Sequence, residues 1–338
     1  MSKSVQTDIN QWDTVKLADV TKTFEQWQRS GTIKNIISNL IKPEKKTITV
    51  LENISFEVKT GEFVAYAGPN GAGKSTTIKL ICGMLVPVQG EIKVFGLSPI
   101  ENRIKLMKRI GILFGNRTEL WWDHPINTSF EWKRSVWNIQ KERYISMRDM
   151  VVELLDISKL MNTFARELSL GQRMRCDLAM MLLHEPELIL LDEPTLGLDV
   201  LAKRQMIGFL KQLNKEKNTT IIVTSHDMDD LEEMAERILL ISHGAIDFDG
   251  SFNALRQYIG CKRQMVVTTQ SKEVPIIAGV SYINSNDINH LYEFDTEQIS
   301  MPQILKGLSI LEGITDVRFE QTSLEEALAN LFQKWNAE

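Results

Sequence analysis

The chain has 338 residues, a formal net charge of −5, 43% hydrophobic and 25% charged residues, which is a soluble globular composition long enough for one large domain and a small one. The acidic balance gives no electrostatic footprint for nucleic acid, and Cys82, Cys176 and Cys261 lie too far apart for a zinc site or a disulfide framework. The polar start "MSKSVQTDINQWD" reads as having no signal peptide, and no apolar run approaches the roughly 20 residues of a membrane-spanning helix, so any membrane role would be borrowed from a partner.

In chain order, "VKLADVTKTF" (residues 15–24) alternates as a strand. An insertion over 25–47 follows, in which Ile33, Ile36, Ile37, Leu40 and Ile41 recur at helical spacing beside Lys34, Lys42, Lys45 and Lys46, with Pro43 ending the helix. Two readings of this short basic amphipathic helix are open: packing on the chain itself, or lying against a membrane surface or partner. "ITVLENISFEV" and "FVAYAG" then read as strands around a "KTGE" turn. Later come "PELILLDEPT" and "TTIIVTSHD". Continuous apolar strands alternating with helices predict a largely parallel sheet covered on both faces. From about 100 to 165 the strand signal fades and the pattern turns helical. The character changes again near Gly260: "QMVVTTQ", "LYEFDT" and "ITDVRFE" read as strands, with helices at 301–311 and 324–335. The last helix opens on a capping box, Ser323 with Glu326, and carries Leu324, Leu328, Leu331, Phe332 and Trp335 on one face.

The chemistry gathers at three places. "GPNGAGKST", Gly68 to Thr76, fits G-x-x-x-x-G-K-[ST] between a strand and a helix. Its glycines let backbone N–H groups curl round an anionic oxygen. Lys74 reaches the outer phosphates, Ser75 offers a hydroxyl to Mg²⁺, and the helix N-terminus faces the phosphates with its positive end. About 120 residues on, "LILLDEPT" (188–195) is an apolar strand ending in two carboxylates. Asp192 is suited to holding Mg²⁺ through water, and Glu193 to taking a proton from an attacking water. Between them, "LSLGQRMR" (168–175) opens a helix.

With these motifs in this order, followed by "LGLD" (196–199) and "VTSHD" (223–227), the chain resembles an ATP-binding-cassette (ABC) transporter ATP-binding subunit, and within that family the multidrug, sodium, lipid and polysaccharide exporter ATPases. The resemblance covers residues 15 to about 250. It implies an α/β P-loop NTPase fold: a mainly parallel sheet core, an antiparallel β part and a helical subdomain at 100–180 carrying the signature, the ATPase domain spanning 15–260; the pattern after Gly260 adds a small C-terminal α+β domain at 261–338. It implies ATP and Mg²⁺ as ligands, hydrolysis of ATP to ADP and phosphate, and a head-to-tail pair of nucleotide-binding domains, homodimeric or heterodimeric. Each ATP would lie between the phosphate loop of one (Gly68, Pro69, Asn70, Gly71, Ala72, Gly73, Lys74, Ser75, Thr76) and Ser169, Gly171 and Gln172 of the other. Asp199 would reach across, and His226 would contact the γ-phosphate and position water with Glu193. The implied partners are integral membrane permease subunits, and no nucleic acid; the implied location is peripheral, on the cytoplasmic face of the cell membrane. The rival reading is a soluble ABC ATPase acting on nucleic acid or ribosomes, which usually carries two cassettes or a long coiled-coil insertion. A third is a non-hydrolysing subunit paired with an active homologue.

The departures from the family pattern leave specific questions. Leu170 stands where the family commonly has glycine, which predicts a small change in loop shape. Phe24 occupies the place of the adenine-stacking aromatic; a core phenylalanine is the alternative. Asn116, in "LFGNRTELWWDHP" (113–125), falls where the family has a glutamine that senses Mg²⁺ and the attacking water; an uninvolved loop residue is the alternative. Trp121, Trp122, Trp132 and Trp137 fall within 17 residues, where the family receives a helix from a membrane partner. They are divided here between partner anchors and the helical subdomain's own core.

Overall fold

The computed structural model describes residues 13–27, 45–115, 117–225, 227–259, 263–270, 272, 274–294, 299–321 and positions 324, 325, 327, 328 and 331. The chain divides into two compact units, Met1–Gly250 and Ser251–Glu338.

The first unit is built on two sheets. β1 (Asp13–Trp27) and β2 (Lys45–Lys59) pair antiparallel, and β4 (Gln89–Val94) pairs antiparallel on β1's other side, in the order β2-β1-β4. The β1–β2 pairing continues out to Glu25↔Thr47, Gln26↔Lys46 and Trp27↔Lys45. The two ends of the predicted insertion are therefore strand, because the hairpin ladder satisfies their backbone groups more fully than a loop would; the predicted helix lies outside the described residues.

The second sheet has six strands in the order β5-β6-β7-β3-β8-β9: β5 (Ile110–Phe114), β6 (Leu188–Asp192), β7 (Thr220–Thr224), β3 (Phe63–Ala67), β8 (Arg237–Ser242) and β9 (Ala245–Ser251). Pairings from β5 through β8 are parallel. β3 and β7 are buried at every position, as a strand covered on both faces must be, which is why they read as unbroken apolar runs. The strand signal does not fade after residue 100 as expected: β5, "IGILF", pairs with β6 from Ile110↔Leu188 to Phe114↔Asp192. Five residues are too few to show a period of their own, and the pairing with β6 decides the matter.

Helices cover the sheet. α1 (Lys74–Ile81) follows β3 and buries Ile78, Leu80 and Ile81, each side chain worth roughly 1.5–3 kcal/mol of burial. α2 (Arg103–Met107) precedes β5; α3 (Ile126–Val136), α4 (Lys141–Leu154) and α5 (Leu170–Leu182) lie between β5 and β6. α6 (Val200–Lys217) and α7 (Met228–Met234) flank β7. The antiparallel sheet is tied to the parallel one by Thr14, whose hydroxyl lies 3.2 Å from that of Thr220, at the start of β7.

The second unit holds α8 (Phe252–Tyr258), α9 (Met301–Leu308) and an antiparallel sheet in the order β11-β12-β10-β13, comprising β10 (Arg263–Thr269), β11 (Ser281–Asn286), β12 (Asn289–Phe294) and β13 (Ile314–Gln321). Its core gathers Met265, Val267, Tyr292, Phe294, Ile304 and Leu308. Leu324 and Leu328, on the apolar face of the last predicted helix, are buried; Ser323 and Glu326 lie outside the described residues.

Candidate nucleotide site

Three loops meet at the carboxyl ends of the adjacent strands β6, β7 and β3, where ligands of open parallel sheets bind. The phosphate loop leaves β3 and enters α1 at Lys74. Gly73 is its hinge: φ is +109°, and a Cβ there would come 2.4 Å from Leu51 Cδ2 and 3.0 Å from Val50 O. Only glycine has both the left-handed backbone and the space. Lys74 is buried, and its Nζ donates to the carbonyls of Gly68 (2.6 Å) and Pro69 (3.1 Å). Burial pulls its pKa down, against the upward pull of the Glu193 and Asp192 carboxylates. Ser75, beside it, is half-buried in the first turn of α1.

Asp192 ends β6 opposite Thr224 on β7. The Thr224 hydroxyl donates to Asp192 Oδ1 at 2.7 Å and accepts from the Glu193 N–H at 3.2 Å, while Thr224 O also accepts from that N–H at 3.0 Å. One buried threonine thus fixes both carboxylate-bearing residues. Glu193 itself has φ +56°, a left-handed conformation that is uncommon outside glycine and asparagine and turns the chain sharply as it leaves the sheet. The donors gathered here, Asp192 carboxylate and Ser75 hydroxyl beside a bed for phosphate, are hard oxygens of the kind that Mg²⁺ takes.

The flanking loops are anchored from both sides. Gly115 N donates to Asp192 O at 2.8 Å, holding the start of the loop that contains Asn116; Asn116 itself, like His226, lies outside the described residues. Asp227, next after His226, caps α7 through the Asp230 N–H and accepts from Lys203 Nζ at 2.6 Å. Burial raises the Asp227 pKa, but the Lys203 and backbone hydrogen bonds outweigh it and leave the carboxyl below its ordinary range.

Ser169, Gly171 and Gln172 open α5. The Ser169 oxygen accepts from the Gln172 N–H (3.3 Å) and Gln172 Oε1 accepts from the Ser169 N–H (3.0 Å), a capping box. The serine hydroxyl hydrogen is left to donate, and Gln172 has a structural job the motif alone did not reveal. Asp199 caps α6 by accepting from the Ala202 N–H at 2.9 Å. Phe24 is exposed, with Lys22 Nζ 5.1 Å from its ring centre, so the core alternative does not hold.

A residue the sequence did not single out links these parts. Asp177, buried on α5, accepts from Thr118 Oγ1 (2.8 Å) and Glu119 N (3.0 Å), just after the Asn116 loop; burial pushes its pKa up to about 6. Of the tryptophans, Trp121 and Trp132 pack together (5.5 Å between rings), Trp122 is half exposed, and Trp137 stacks on His184 at 4.9 Å. A cleft of about 460 Å³ at the opposite, amino ends of the strands is lined by residues such as Phe95, Arg109 and Met150, and by none of the motif residues.

A phosphate loop, a strand-end Asp–Glu pair and a capped signature helix on one α/β core define an ATPase cassette. The ABC transporter family model matches residues 51–196. An uncharacterized ABC transporter ATP-binding protein of Bacillus subtilis, YhcH, is 32% identical over 214 residues, 63% of this chain and 67% of its own. The energy-coupling factor transporter ATP-binding protein EcfA2 of Clostridium tetani is 34% identical over 61% of this chain and 73% of its own. A solved post-hydrolysis dimer of the ATP-binding cassette MJ0796, bound to ADP and Pi, superposes with a TM-score of 0.59 at 25% identity, covering 70% of this chain and 98% of that one. The chain belongs to the ABC transporter ATP-binding family, whose cassettes bind and hydrolyse ATP.

Proposed function

We propose that this chain powers a membrane transporter by closing on ATP as one half of a head-to-tail dimer and opening after hydrolysis. The observation that carries the reading is the convergence of Lys74, Asp192 and Glu193 at the carboxyl ends of neighbouring strands, with Thr224 bonded to both carboxylate residues. Backbone N–H groups of Gly68–Thr76 and the N-terminus of α1 receive the phosphates, and Lys74 neutralises the outer ones. Ser75 and Asp192 would hold Mg²⁺, which supplies charge neutralisation on the β- and γ-phosphates when bound. Glu193 takes the proton of the attacking water; His226 and Asn116 orient that water. Across the dimer, Ser169 and Gly171 donate to the γ-phosphate, and Asp199 contacts the opposite subunit. Phe24 stacks on adenine. Loss of the γ-phosphate removes the group that both subunits grip, so the closed pair separates.

The partners are separate transmembrane permease subunits, and the exposed faces of Trp121, Trp122 and Trp132 supply the kind of aromatic anchors that interface hot spots favour. Among the described residues no helix is long and apolar enough to cross a membrane, which fits a peripheral subunit at the cytoplasmic face. The direction we propose is export; it rests on the small α+β unit that follows the cassette and on the likeness of the motif pattern to exporter ATPases.

The test is affinity purification of tagged Glu193→Gln protein from detergent-solubilised native cells with ATP and Mg²⁺. Co-purification of one or two polytopic membrane proteins is the expected outcome. Ribosomes or nucleic-acid proteins instead, with ATP binding intact, would favour the soluble rival.

A further inference from the structure

The cleft of about 460 Å³ at the amino ends of the strands takes no part in the nucleotide chemistry, yet it has the build of a ligand site: a mostly apolar hollow with a few charged groups, in the size range of pockets for small organic molecules. Its walls come from separate elements. Met147 and Met150, three apart on α4, line it together with Leu182 at the end of α5 and Leu213 near the end of α6, while Phe95 and Pro186 come from loops.

The sheet side of the hollow is held from behind. Arg109 Cζ lies 3.7 Å from the Phe95 ring centre, and the same guanidinium donates to both Glu187 carboxylate oxygens, at 2.6 and 2.7 Å. Asn214 Nδ2 donates to Gly61 O and to Thr219 O, each at 2.8 Å, which pins the end of α6 beside the turn between β2 and β3. One wall is therefore fixed in advance. The two methionines supply the other, adaptable and polarisable, which suits an apolar guest of variable shape.

The charges around the cleft decide what kind of guest fits. Arg109 is taken by Glu187, and Glu185 accepts from Arg143 Nη2 at 2.9 Å. Lys217 is exposed in the last turn of α6, where the helix's carbonyl end balances its charge. Asp13 is half-buried, and among the described residues its carboxylate has no hydrogen-bond or ion-pair partner; Lys16, on the same strand, is taken by Glu57. α5 also ends here with no basic residue in its last turn, so its carbonyl end adds negative potential that nothing offsets. A positive charge answers both features, and a carboxylate answers neither.

We propose that this cleft is a binding site for a small organic cation, an apolar body seated against Met147, Met150 and Leu213 with its charged group set towards Asp13. The site is separate from the nucleotide loops, so the cation and ATP are held at the same time.

The experiment titrates the full chain with naphthylmethylamine, naphthylmethanol and naphthylacetate, which share one apolar body and differ in charge, and follows binding by ligand-observed NMR. The amine should bind roughly fivefold or more tighter than the alcohol, with the acetate weakest, and ATP with Mg²⁺ on Glu193→Gln protein should displace none of it. Asp13→Asn should bring the amine to the affinity of the alcohol and leave the alcohol unchanged. Met150→Trp, which fills the hollow, should abolish binding of all three while ATP binding is kept; Leu213→Trp fills it from the opposite wall should Met150→Trp fail to fold. Equal affinities, a preference for the acetate, displacement by ATP, or an unchanged titration in the filled variant would overturn the proposal. Binding that appears only once residues 2–12 are removed would also overturn it, and would give the cleft to the chain's own leading segment.

Discussion

Asp177 on the signature helix α5 and Thr118, two residues past Asn116, share a 2.8 Å hydrogen bond inside the protein. The bond joins the signature helix to the loop that leaves β5, and it is made by a carboxyl group that burial holds up at about pKa 6. For such a group the stability contribution is fully present below the unfolded value of 3.8 and is lost as pH rises through about 6. Ionised Asp177 therefore costs roughly 3 kcal/mol at pH 8. Asp177→Asn keeps the acceptor oxygen for Thr118 and Glu119 without the charge. Chemical denaturation should show the variant more stable than wild type at pH 8, with the difference vanishing near pH 4. His184 has the opposite sign: burial lowers its pKa to about 4, so its contribution is complete above 6.5 and falls on acidification. In Asp177→Asn that fall should stand uncovered between pH 6.5 and 4. Equal pH profiles for the two proteins would refute the assignment.

Thr224 is the second test. Its hydroxyl is buried between Asp192 and the Glu193 N–H, and an unsatisfied buried group costs about 1–3 kcal/mol. Thr224→Val should lower kcat by roughly 10- to 100-fold while ATP affinity, set by the phosphate loop, changes little. Thr224→Ser should restore most of the rate. A matching loss in ATP affinity would instead assign Thr224 to binding.

Gly73→Ala is expected to abolish ATP binding, read by equilibrium dialysis or fluorescent-nucleotide titration. The added methyl meets Leu51 Cδ2 at 2.4 Å and Val50 O at 3.0 Å on a backbone with φ +109°, and one strained left-handed residue alone costs about 1–3 kcal/mol. Gly71→Ala, where nothing lies within 4 Å of the new atom although φ is +85°, should lose less.

The tryptophans separate by what they touch. Trp137 is stacked on His184 and has Lys133 Nζ 5.0 Å from its ring centre, so Trp137→Ala should destabilise the chain by about 2 kcal/mol or more. Trp122 is half exposed, with the Arg173 guanidinium 5.7 Å from its ring centre. Trp122→Ala should leave stability within about 0.5 kcal/mol and reduce recovery of membrane partners with the tagged protein. A large fall in melting temperature for Trp122→Ala would make it a packing residue instead.

The sequence announced what is carried by local pattern. β3, β6 and β7 read directly as apolar runs because both faces are buried, and the phosphate loop and strand-end carboxylates stand at fixed offsets from them. β5 was hidden because five residues show no period, and β11, "SYINSN", because it is exposed at every position and has no face to alternate. Asp177 looks like any surface carboxylate on a helix until Thr118 is folded over it. Gln172's cap needs the turn geometry that only the folded chain supplies.

Lys74 has one more property that follows from its place. An ammonium has three N–H bonds, and the carbonyls of Gly68 and Pro69 take two of them. Two of its bonds act as a mount, which leaves a third N–H to donate. An arginine could not be seated the same way, because a planar fork cannot rest on two carbonyls while pointing a compact charge at a third acceptor. Lys74→Arg would keep the charge and lose its bearing, which makes the most conservative exchange on paper a disruptive one in this loop.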